Sequence, residues 1–127
     1  EGSRQLSEFL RGQLEANHIQ SRQLAELMVV ADELFALCRS QADPDSRFMA
    51  ECAVPTGEGL VILRLKGEMR GRHPLERTEG EAAEHAASFI QKTCDQVLFE
   101  HGSDLDTVMI VKRISEGNTA EKREISG

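Results

Sequence analysis

Residues 21–38 read SRQLAELMVVADELFALC, and this stretch decides the architecture. Leu24, Leu27, Met28, Ala31, Leu34, Phe35 and Cys38 recur at intervals of three and four, the period of a helix with one apolar side. The stripe is wide, which predicts a helix central to the core. Ser21 is suited to cap its start, because a hydroxyl oxygen can accept from the first free amides. Asp43-Pro44-Asp45 is a turn sequence and predicts its end.

On the N-terminal side, Leu6, Phe9, Leu10 and Leu14 predict an amphipathic helix from about Arg4 to Ala16, broken at Asn17-His18. On the C-terminal side, 47–54 (RFMAECAV) and 59–66 (GLVILRLK) read as strands joined by the Pro and Gly of Pro55-Thr56-Gly57-Glu58-Gly59. Residues 67–80 are polar and read as a long loop. A third helix is expected over Ala82–Cys94, with Ala83, Ala86, Ala87, Phe89, Ile90 and Cys94 as its apolar positions. Residues 96–100 (QVLFE) and 106–114 (DTVMIVKRI) are two further strands around the turn His101-Gly102-Ser103-Asp104. Residues 1–114 then form one domain, and 115–127 (SEGNTAEKREISG) a polar tail or linker with almost nothing to bury, expected to be disordered unless a partner orders it. Glu1-Gly2-Ser3 reads as leftover linker. Helices on one face of a mostly antiparallel mixed sheet satisfy every apolar stripe at once, so the expected fold is a two-layer α/β sandwich.

The chain is 127 residues long, enough to bury roughly two-thirds of its unfolded surface in a single core. Its net charge of −7 disfavours a nucleic-acid partner, since phosphate binders concentrate Lys and Arg. The local basic cluster Lys66, Arg70 and Arg72 reads as solvated surface. No apolar run reaches the roughly 20 residues that cross a bilayer, which predicts no membrane insertion and a cytoplasmic protein, either free or as a domain of a larger or membrane-attached one. Cys38, Cys52 and Cys94 are far apart and form no CxxC pair. The four histidines, His18, His73, His85 and His101, form no helical pair, so no zinc site is expected and the thiols read as reduced.

The segment Val30-Ala31-Asp32-Glu33-Leu34-Phe35, after a short amphipathic helix, resembles the N-box helix of the anti-sigma-factor serine kinases. These kinases are a branch of the histidine-kinase-like GHKL ATPases. The run Ser88 to Val97, then Phe99-Glu100 and Val108–Ile114, is similar to the family's last helix and its "Asp-x-Val-x-Tyr-Glu" and "x-Lys-Lys/Arg-Ile" strands. Pro74-Leu75-Glu76 resembles the family's Asn-Pro-Leu-Glu. The resemblance covers roughly residues 5–114 and implies a Bergerat-like ATP-binding fold that starts with a strand before the first helix. Nothing from Glu1 to Arg4 can supply that strand, so either it lies outside this sequence or the sheet has an open edge.

Each chemical motif of the family is altered in this chain. The N-box Glu-x-x-x-Asn retains its acid as Glu33, the candidate catalytic base, but its magnesium-binding Asn is replaced by Leu37, which offers a hard cation no oxygen. The adenine-binding Asp-x-Gly falls on Gly67 and Met69, with Glu68 beside the acid position. The glycine-rich phosphate turn falls on Ala83-Glu84-His85-Ala86, where Glu84 would bring like charge to a phosphate at a cost of about 1 to 4 kcal/mol. The resemblance therefore implies a pseudo-ATPase with no cofactor. Such a protein would act as a regulatory binding domain for a STAS-type antagonist, a sigma factor or a second copy in a homodimer. The alternative is an active serine/threonine kinase using Mg-ATP through atypical contacts.

Overall fold

A computed structural model describes residues 2–43, 45–69, 73–76 and 79–114. The elements run α1 (Gly2–Ala16), α2 (Ser21–Ser40), β1 (Met49–Ala53), β2 (Leu60–Gly67), α3 (Glu81–Thr93), β3 (Gln96–His101) and β4 (Asp106–Arg113). Each matches an element expected from the sequence to within a few residues. Residues 115–127, for which a disordered tail is expected, lie outside the described residues, as do Arg70 and Arg72.

Leu6, Leu10 and Leu14 are buried one turn apart on α1, which is why this short amphipathic stretch holds as a helix. Its end is a Schellman motif: the Ile19 amide donates to Leu14 O (3.1 Å) and the His18 amide to Glu15 O (3.1 Å). His18 takes the left-handed conformation usually given to Gly, with φ of 60°. Helix α2 buries Leu24, Leu27, Val30, Ala31, Leu34, Leu37 and Cys38, the widest face in the molecule. The expected cap differs: Ser21 is the first helical residue, Gln20 holds the cap position, and no side chain caps this end.

The sheet order is β1-β2-β4-β3, and all three pairings are antiparallel. This corrects the expectation of a mixed sheet. β2 and β3 run the same way, but the β3–β4 hairpin folds β4 back between them, so no two neighbouring strands are parallel. β2 alternates half-buried and buried along its whole length, with Val61, Leu63 and Leu65 in the core. Val108 and Ile110 of β4 join the same core, which also takes in residues of all three helices. Gly67 ends β2 where the chain needs no side chain at all: a Cβ there would sit 2.2 Å from the Phe48 ring.

Candidate functional site

Helix α2 and the Gln41 that caps its end carry a ridge of residues about one turn apart: Glu26, Val30, Glu33, Leu37 and Gln41. Glu26 reaches Lys112 (3.5 Å), whose ammonium also donates to Thr93 O at the end of α3 (2.8 Å). At the other end, Gln41 Nε2 donates to Pro74 O (2.9 Å). The ridge thus faces α3 and the 73–76 segment, where the resemblance would put a nucleotide. Between those fixed ends Glu33 is half-buried, and Leu37 is only 4% exposed.

Met69 is 2% exposed, and Leu75, Ala87 and Ile90 are buried in the same cluster as Leu37. Met69 is fixed by its backbone, whose amide donates to Asp106 Oδ2 (3.2 Å). Asp106 is a buried carboxylate, and its other oxygen accepts from His101 Nδ1 (2.5 Å). Glu68, one residue from the expected adenine acid, is exposed and accepts from Ser46 Oγ (3.2 Å). It does not turn inward to take the place of the missing Asp.

Ala83, Glu84, His85 and Ala86 lie inside α3 rather than in a turn before it. The Glu84 amide already donates to Gly80 O (3.1 Å), so from here on the amides are spent within the helix. Glu81 and Glu84 occupy the first turn, where carboxylates suit the positive end of the helix. Both effects withdraw the groups that would hold phosphate. His85 is exposed. Among the described residues no three His, Cys, Asp or Glu side chains are grouped to hold a metal ion. At the positions that the resemblance assigns to metal, adenine and phosphate, the chain carries the aliphatic Leu37, the buried thioether Met69 and the helical stretch Ala83–Ala86 with Glu84.

His73, within the 67–80 stretch read as a loop, stacks on Phe99 with ring centroids 5.3 Å apart, and its Nδ1 accepts from the Leu75 amide (3.2 Å). Burial lowers its pKa from the ordinary 6.5, with nearby Glu76 acting against the shift. Lys66, read as part of a basic cluster, pairs with Glu51 across the β1–β2 ladder (3.2 Å).

The sequence reading missed a second feature. A cavity of about 790 Å³ lies between α1, α2 and β1, with Phe9, Phe35 and Phe48 in its walls. Phe35 and Phe48 meet edge to face at 5.7 Å, and the Arg39 guanidinium lies 5.4 Å from the Phe48 centroid. Arg47-Phe48 before the strand was the available signal, but only the fold brings it beneath Phe9. No protein-family model matches the chain, and no curated protein matches it. No helix among the described residues is long and apolar enough to cross a membrane.

Proposed function

We propose that this chain is a non-catalytic regulatory domain of the GHKL type: a two-layer sandwich related to the anti-sigma-factor kinases that binds proteins and has lost nucleotide chemistry. The observation that carries the reading is that Leu37, Met69, Leu75 and Ala87, at or beside the positions where the resemblance calls for metal and adenine, are all buried in the apolar core. A cavity filled by a flexible thioether and aliphatic side chains stabilises the domain without ligand, which a binding cleft could not do. Glu33 persists on the ridge, but without an oxygen at Leu37 or free amides at Glu84–Ala86 it has no phosphate to act on. In this reading the domain is cytoplasmic, forms a homodimer, and acts in bacterial partner switching by gripping a STAS-type antagonist or a sigma factor.

Thermal unfolding with saturating Mg-ATP or Mg-ADP tests the loss of nucleotide binding. A ligand at 100 times its Kd would stabilise the fold by about 2.7 kcal/mol, a rise of several degrees for a domain of this size. The expected outcome is an unchanged Tm with either nucleotide. A saturable rise would replace this reading with the kinase.

A further inference from the structure

β1 is an edge strand: one side pairs with β2, and among the described residues no backbone hydrogen bond is made from residues 49–53 on the other side. An unpaired strand edge is a template for another strand. The same edge borders the cavity under α1. Of the five Phe in the chain, three (Phe9, Phe35 and Phe48) line it, and Phe9 is left 38% exposed. The strand residue facing this space is Ala50, too small to fill it. Arg47 lines the cavity, as does Arg39, whose guanidinium donates to Ser46 O (2.7 Å), and among the described residues no carboxylate lines it, although the chain carries a net charge of −7.

We propose that the free edge of β1 takes up an extended, acidic segment of another protein as a fifth strand, its alternate apolar side chains entering the cavity beneath α1. A strand added about 4.8 Å from β1 sends every second side chain toward the helices, and so into this space. Acidic residues at its end would then meet Arg47. Two other occupants fit less well. A second copy pairing through the same edge would bring only Ala50 and Cys52 to the cavity side, leaving it unfilled, and its Glu51 is already engaged by Lys66. A fatty acid would use the cavity and the guanidinium groups but leave the strand edge unpaired. The proposal deepens the interaction-domain reading by naming its partner surface. No nucleotide takes part in its test, so either reading can fail alone.

The probe is a fluorescein-labelled peptide of about eight residues with phenylalanine or valine at alternate positions, threonine between them and glutamates at one end, a length ordinary for one strand. Its anisotropy should rise saturably with added protein, and hydrogen exchange at residues 49–53 should slow in the complex. Two further versions, N-methylated on odd or on even residues, distinguish strand pairing from side-chain uptake: one should lose binding and the other keep it. Arg47→Glu and Phe9→Lys, both at exposed positions and checked for folding by circular dichroism, should each weaken binding about tenfold. Any of four results would overturn the proposal: no binding; equal binding of a version with lysine for glutamate; indifference to N-methylation in both registers; or competition by dodecanoate with no change in exchange at 49–53. So would amides at 49–53 already protected in the free protein at high concentration, since a second copy would then hold the edge.

Discussion

A histidine in a loop ordinarily exchanges its proton with water near neutrality, but His73 is held against the Phe99 ring with its Nδ1 accepting a backbone bond. Protonation would break that acceptance and place charge in a partly dry site, so the folded pKa lies below the ordinary 6.5. A group whose folded pKa is lowered adds stability that is present above its unfolded pKa and lost as pH falls. Urea midpoints should therefore decline between about pH 7 and 5, and His73→Gln should flatten part of that decline. An unchanged slope would remove His73 as a source. Burial acts on the thiols in the opposite sense: it pushes Cys38 up to about 12 and Cys94 up to about 11. A neutral, buried thiol is a poor nucleophile and a good packing group, as expected from the apolar helical positions of both.

Helix α3 is held at both ends by charge of the fitting sign. Glu81 and Glu84 stand at its start, and Lys112 donates to the Thr93 carbonyl at its finish. The same lysine reaches Glu26 of α2, so a single ammonium on β4 links both helices to the sheet. Lys112→Met keeps the apolar stem and removes only the charge and its bonds. It should lower unfolding free energy by about 1–2 kcal/mol in urea, because a charged hydrogen bond to a carbonyl is lost. Glu26→Gln should cost less than half of that, since its carboxylate is partly exposed and the pair is screened. Equal losses would mean that the ion pair, rather than the helix end, carries the effect.

The three helices and two central strands share one apolar cluster, so the described domain should unfold as a unit. Leu14 of α1 is fully buried in that cluster. Leu14→Ala should cost about 3 kcal/mol and move every probe's transition together. The chain has no Trp or Tyr, so the measurement is far-UV circular dichroism beside methyl NMR signals from β2 and α3. If α1 melts separately while the sheet signals persist, the helix is an appendage rather than part of the core. The opposite face of the sheet leaves Met49 and Leu98 exposed, on the outer strands β1 and β3.

Much of this fold could be read from local pattern. Leu24 to Cys38 repeat with helical period, and Val61, Leu63 and Leu65 alternate, because one side of each element must leave water, and that need is written in neighbouring residues. Leu37 could likewise be read as unfit for a metal from its side chain alone. The contacts that hold Met69 and His73 could not: the Met69 amide finds its carboxylate 37 residues away on Asp106, and His73 stacks on Phe99 of β3. The strand order, with β4 between β2 and β3, and the cavity joining Phe9 to Phe48 likewise come from chain reversals that leave no local trace. Periodicity therefore determined the elements. Packing alone decided which distant side chains meet, because burial selects a partner by shape and hydrogen bonding, whatever its distance along the chain.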